Sequence, residues 1–233
     1  MIVFYSENIN AGSGELSSED SKHCYKVLRK KVGDNIIVLD GKGGKHHCEI
    51  DAIEKNYVSF TVVKTDLYPP EDHLPTVGIS LLKNSNRLEW FLEKATEIGI
   101  RSVQPLECKR TLKGKFRKDR AESIVISAMK QCMRTFLPEV RELNSFEEIL
   151  RENANRRKYI CHYSEENDHL LDVLEMGQPA YILIGPEGDF SEDELNLAIG
   201  NGWKMVNISN SRLRTETAGI TACQIVALRN RGN

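Results

Sequence analysis

From Leu74 onward, apolar runs of strand length alternate with stretches of helical periodicity. Residues 77–82 form a largely apolar run, as expected of a strand covered on both faces. Leu88, Phe91, Leu92, Ala95 and Ile98 then recur at helical spacing. Asn86 is the predicted N-cap, with Glu89 three residues on, and Gly99 is the predicted stop. Further strands are predicted at 102–106, 159–163, 181–184 and 204–208, and helices at 120–134, 145–155, 191–200 and 216–229. This alternation predicts an α/β domain built on a parallel sheet with helices on both faces.

The first 70 residues have a different rhythm. Short strands are predicted at 1–6, 35–40, 47–53 and 57–63, with turn residues at Gly41, Gly43 and Gly44. One helix is predicted from Ser17 to Gly33. Short strands at this spacing suggest a small barrel. Pro69-Pro70, followed by Glu71-Asp72, reads as a linker, which divides the chain into domains at 1–70 and 74–233. His46-His47 falls among the turn residues and is expected at the surface.

Charge changes this picture most. The net charge of −2 conceals a marked asymmetry. Residues 73–140 carry 13 basic and 7 acidic side chains, whereas 141–233 carry 10 and 15. A near-neutral total therefore does not exclude a nucleic-acid partner. Residues 108–120 hold seven basic groups and one acid, which points to phosphate. Residues 22–31 form a second basic face with no acid. The six cysteines are scattered without a Cys-x-x-Cys pair and read as reduced, mostly packed thiols, which suits the cytoplasm. The histidines form no metal pattern, no apolar run approaches the ~20 residues of a membrane span, and the N-terminus lacks the features of a signal peptide. No metal and no membrane are expected.

The candidate chemistry lies near the C-terminus. The strand at 181–184 breaks at Gly185-Pro186-Glu187-Gly188 and leads through Ser191, with Glu194 at the capping-box position, into a helix. A strand ending in a glycine-containing loop before a helix is where α/β proteins bind ligands. The spacing fits neither a P-loop nor a dinucleotide fingerprint. A second loop, from Ser209 to Thr217, leads into the final helix.

Together these loops resemble the signature pair of the RsmE family, SPOUT-class methyltransferases that methylate N3 of one uridine in 16S ribosomal RNA. Leu213-Arg214-Thr215-Glu216-Thr217-Ala218 matches one family segment. Residues 92–99 and Gln131-Cys132-Met133-Arg134 resemble two others, which sets Lys94, Glu97, Gln131 and Arg134 near the active site or a dimer contact. The resemblance implies a C-terminal SPOUT-type trefoil-knotted parallel sheet with helices on both faces, plus a small N-terminal PUA-like RNA-binding β-barrel. It also implies a homodimer. Two departures stand out: Asp189 replaces a usual glycine, and Ile208-Ser209 and Ser211 replace a usual Leu-Gly and arginine.

In that family the methyl donor, S-adenosylmethionine, lies among three knot loops. Here the donor-binding candidates are His162, Ile184, Gly185, Pro186, Glu187, Gly188, Ile208, Ser209, Asn210, Leu213, Thr215 and Thr217. Methylation at N3 requires loss of a proton from a weak acid. Arg214 is the candidate that stabilises the resulting anion with its planar donors, and Glu187 or Glu216 is the candidate proton acceptor. Thr215, Glu216 and Thr217 could equally cap the helix. RNA-binding candidates are Lys22, Lys26, Arg29, Lys30, Lys109, Arg110, Lys113, Lys115 and Arg134. The expected partner is 16S rRNA in the small ribosomal subunit. A non-catalytic RNA-binding factor and a SPOUT methyltransferase acting on another RNA atom, such as a ribose 2′-hydroxyl, are the alternatives.

Overall fold

The computed structural model describes residues 3–55, 57–112, 114–152 and 156–231. Two compact units emerge: Met1–Pro70 with Ile126–Leu137, and Glu71–Val125 with Pro138–Asn233. Residues 126–137, which the linear reading puts in the second domain, group with the first.

In the first unit, β1 (Val3–Tyr5), β2 (Ile9–Asn10), β3 (Ser13–Glu15), β4 (Asn35–Leu39), β5 (Gly44–Glu54) and β6 (Tyr57–Leu67) form one sheet in the order β1-β4-β5-β6-β3-β2. Alternate residues of β5 and β6 turn inward, so that Cys48, Ile50, Val58 and Phe60 join Phe4, Leu16, Ile36 and Val38 in the core. Register shifts at His47/Cys48 and Ile50/Ala52 increase local twist and curl the sheet into a half-barrel. β2 and β3 are too short to show a period of two, and the sequence pattern missed them.

Two expectations for this unit need correction. His46-His47 lies within β5 and not in a turn. His46 is buried, with Nδ1 2.9 Å from Thr65 Oγ1 and Nε2 3.2 Å from Asp40 Oδ2. The tight turn is instead set by Asp40, whose Oδ1 accepts from Lys42 N and Gly44 N. The predicted helix to Gly33 is also shorter. Ser17 caps α1 (Ser18–Lys22), hydrogen bonding then widens to the π pattern over His23–Val27, and Arg29 at φ +54° ends the element.

In the second unit, the pairings among the described residues are parallel. The strands are β7 (Thr76–Ser80), β8 (Ser102–Glu107), β9 (Glu139–Val140), β10 (Asn144–Ser145), β11 (Arg157–Cys161), β12 (Ala180–Ile184) and β13 (Lys204–Val206). Their order is β10-β8-β7-β12-β11-β13, with β9 also on β8. The helices are α2 (Ser85–Ile98), α3 (Lys118–Cys132, which runs into the segment grouped with the first unit), α4 (Phe146–Arg151), α5 (Leu170–Val173), α6 (Glu192–Gly200) and α7 (Thr215–Arg229).

Side-chain alternation along buried strands decides which helix covers which face. Leu106, Ile160, Tyr181 and Leu183 pack with Phe146, Ile149 and Leu150 of α4 and with Ala198 of α6. Ile79 faces the opposite way, toward α2 and α7, where a Cβ on Gly219 would meet Phe91 at 2.5 Å and Ile79 at 3.3 Å. The small residues after Thr217 therefore allow close helix packing. One cap is corrected: Asn84, not Asn86, caps α2, its side chain accepting from Asn86 N at 3.0 Å. Glu89 is thereby freed from capping and forks onto Arg120. Among the described residues, no helix is long and apolar enough to cross a membrane.

Candidate active site

Sheet register creates the site. Cys161 on β11 is paired with both Ile184 on β12 and Val206 on β13. Three adjacent parallel strands thus end level with one another, and their loops leave the same edge. That carboxyl edge is where open α/β sheets bind ligands. The loops 161–163, 184–190 and 206–215 line a cavity of about 610 Å³, within the range that accommodates small-molecule ligands.

Local sequence fixes each loop. Gly185 lies against Phe190: a Cβ there would sit 3.1 Å from the ring, which is buried in the core. Asp189 stands at φ +60°, a left-handed position natural for glycine and tolerated by aspartate. Its Oδ1 accepts from Phe190 N, and its Oδ2 lies 3.0 Å from His162 Nδ1. Asp189 therefore both shapes the approach to α6 and lines the cavity. Ser191 and Glu194 complete the predicted capping box of α6. Arg110 donates to the carbonyls of Gly188 and Phe190, and Lys109 N donates to Glu194 Oε1.

The final loop is tied to the Gly185 loop directly. Thr215 is buried, and its hydroxyl donates to Gly185 O at 3.0 Å. Glu216 is also buried and pairs with Arg87 of α2 at 2.8 Å. Arg87 reaches Glu187 as well, at 3.2 Å. One guanidinium thus holds a carboxylate from each loop. The Oε2 atom of Glu216 has no hydrogen-bond partner among the described residues. The N-cap residue of α7, Arg214, makes no side-chain capping bond; Thr215 bonds the Gly185 loop and Glu216 pairs with Arg87 of α2 instead of capping.

A second, open cavity of about 870 Å³ adjoins the first. Pro186, Glu187, Arg212, Leu213 and Thr215 line both. Its remaining wall includes Lys83, Arg87 and Arg214, so four cations face one exposed-side carboxylate, Glu187. Arg214 is exposed and forms no ion pair among the described residues. Glu216 lines neither cavity.

Of the donor-binding candidates, His162, Ile184, Gly185, Pro186, Glu187, Gly188, Ile208, Ser209, Leu213 and Thr215 line the first cavity. Asn210 is exposed outside its lining, and Thr217 lies within α7 outside it. Among the RNA-binding candidates, Lys109 is paired with Asp193, Arg110 braces the Gly188 loop, and Lys115 is exposed. Lys113 lies outside the described residues. Lys22, Lys26 and Arg29 are exposed on the first unit, Lys30 is half-buried there beside Asn35 O, and Arg134 groups with that unit. Lys94 pairs with Glu93 and Glu97 on α2. Sequence reasoning missed Arg87, Lys83 and Arg212. The one available signal for Arg87 was a basic residue on the polar side of the α2 stripe.

Comparison with known proteins adds an independent finding. Residues 71–227 match the family model of an RNA methyltransferase domain, and residues 16–63 match that of an RNA methyltransferase PUA domain. The chain is 26% identical to ribosomal RNA small subunit methyltransferase E of Bacillus subtilis, over 91% of this chain and 88% of that protein. It is 29% identical to the protein of the same name from Rickettsia conorii, over 92% and 89%. A solved structure described as a probable rRNA-methyltransferase from Porphyromonas gingivalis superposes with a TM-score of 0.91 at 32% identity, covering 99% of this chain and 98% of that one. Ribosomal RNA small subunit methyltransferase E from Neisseria gonorrhoeae, solved bound to S-adenosyl methionine, gives 0.85 at 27% identity, covering 96% and 95%.

Proposed function

This chain belongs to the RNA methyltransferase family whose curated members are named ribosomal RNA small subunit methyltransferase E, and we propose that it transfers a methyl group from S-adenosylmethionine to N3 of a uridine in 16S ribosomal RNA. One observation carries this reading. A loop cavity of ligand size shares a wall, through Glu187 and Leu213, with a cleft lined by four cations. The first suits a small polar-apolar donor. The second suits an anionic polynucleotide.

The residues present fit the donor. Ile184, Pro186, Ile208 and Leu213 supply apolar lining, and His162, Asp189 and Ser209 supply polar groups at its edge. Once bound, S-adenosylmethionine provides an electrophilic methyl on a sulfonium, so no metal is needed. The chain's own residues must present the uridine, accept its N3 proton and stabilise the charge left behind. Arg214, without an ion pair among the described residues and in the cationic cleft, is suited to the anion spread over N3 and its neighbouring carbonyl oxygens. Glu187 is favoured over Glu216 as the proton acceptor because it borders both cavities, whereas Glu216 is buried against Arg87 and borders neither.

The same reading assigns residues 1–70 as a PUA-like domain that docks RNA and residues 74–233 as the knotted catalytic domain. It also makes the working form a cytoplasmic homodimer acting on the small ribosomal subunit. The test is incubation with labelled S-adenosylmethionine and unmethylated small subunits, followed by nucleoside mass spectrometry. 3-Methyluridine is expected. A 2′-O-methyl product would point to the other SPOUT chemistry, and no product to a non-catalytic factor.

A further inference from the structure

A third cavity, of about 440 Å³, continues from the cationic cleft, with which it shares Lys83 and Ser85. Its apolar lining comes from Leu82, Leu88, Leu92 and Phe116, and its basic groups include Lys115 and Arg120. We propose that this cavity is a second nucleotide subsite, taking the base next to the target uridine. The proposal rests on the function assigned above and extends the same RNA path by one nucleotide.

The chemistry on the walls divides in the way a nucleotide requires. Lys83 and Lys115 form no ion pair among the described residues, so both ammonium groups are available to phosphate. Arg120 is committed differently. Glu89 accepts from its Nε at 3.3 Å and its Nη2 at 2.8 Å. This fork fixes the plane of the guanidinium and partly neutralises it. The same bonds hold the Glu89 carboxyl below its ordinary range. A fixed guanidinium plane and the Phe116 ring in one cavity wall offer stacking surfaces for a splayed-out base. The leucines make the floor dry. Apolar leucines next to two ammonium groups suit a nucleotide, which brings a base and a phosphate together.

Continuity sets the order along the strand. The target base sits where the donor cavity meets the cleft, the cleft cations meet its backbone, and the neighbouring base follows into the third cavity. Each step uses residues shared between adjacent cavities.

The test uses the full-length protein and unmethylated small ribosomal subunits. Phe116→Ala is expected to lower kcat/KM for the subunits about tenfold, the scale of one lost base stack. Phe116→Trp should restore most of the rate, whereas Phe116→Leu, which fills space without a π face, should not. Lys115→Ala should raise KM and reduce its salt dependence by about one unit of log–log slope. Affinity for S-adenosylmethionine, measured by calorimetry, should stay unchanged in every variant and serves as the control for folding. Wild-type rates with Phe116→Ala and Lys115→Ala would overturn the subsite, as would a Phe116→Leu variant as active as wild type. Loss of dimer in Phe116→Ala would make the cavity a contact between copies and overturn it too. If the wild-type protein makes no methylated nucleoside at all, the failure lies with the assigned function and the subsite falls with it.

Discussion

Removing Arg87 should loosen the site by stranding a buried charge. Arg87 donates to Glu216 through Nε at 2.8 Å and pairs with Glu187 at 3.2 Å. The Glu216 side chain is 9% exposed, and its other oxygen has no partner among the described residues. Removing one member of a buried pair costs about 3–5 kcal/mol, mainly because the remaining charge is left uncompensated. Arg87 itself is 26% exposed, so water can partly replace it, and about 2–3 kcal/mol is the better expectation for Arg87→Ala. That corresponds to a fall in melting temperature of roughly 5–10 °C. The two tryptophans, Trp90 and Trp203, both belong to the second unit, so their fluorescence follows its unfolding alone. Adding Glu216→Gln removes the stranded charge. Arg87→Ala/Glu216→Gln should therefore be more stable than the two single losses predict, by about 1.5–3 kcal/mol in a urea double-mutant cycle. A coupling below about 0.5 kcal/mol would refute the claim that Arg87 locks the two loops through Glu216.

Other consequences can be checked singly. Thr215→Val removes the bond to Gly185 O and should cost about 1 kcal/mol of stability while weakening S-adenosylmethionine binding, read by urea unfolding and calorimetry. Gly219→Ala places a methyl group 2.5 Å from Phe91 and should destabilise the second unit by about 1–3 kcal/mol, seen in the same unfolding curves. Arg214→Ala should lower kcat about 100- to 1,000-fold with donor affinity intact, as measured by calorimetry and single-turnover methyl transfer. Burial pushes the Cys48 and Cys223 thiols up to about 12, so both are neutral at pH 8. A thiolate-directed reagent at that pH should label half-buried Cys132 first and reach Cys48 and Cys223 only after unfolding, as followed by peptide mass spectrometry.

The long periodic elements were legible from sequence. The apolar face of α2, the strands around the parallel sheet and the capping box of α6 all follow from spacing. Short elements were not: β2, β9, β10 and α5 have two to four residues each, too few to carry a period. Cap positions shifted where two candidates competed, as Asn84 and Asn86 did. The two C-terminal loops were recognisable by their residues. The contact that joins them was not, because Thr215 and Gly185 are 30 positions apart and meet only through sheet register. Arg87 was invisible for the same reason: its partners lie 100 and 129 positions away. Local pattern encodes an element's face, whereas a site built from three strand ends exists only once the strands are ordered.

A crystal structure of the protein with S-adenosylmethionine tests the central claim most directly. The account predicts the donor among loops 161–163, 184–190 and 206–215, with its sulfonium methyl turned toward the cleft bordered by Glu187 and Arg214. A donor bound elsewhere, or one seated among these loops with its methyl facing away from that cleft, would contradict it.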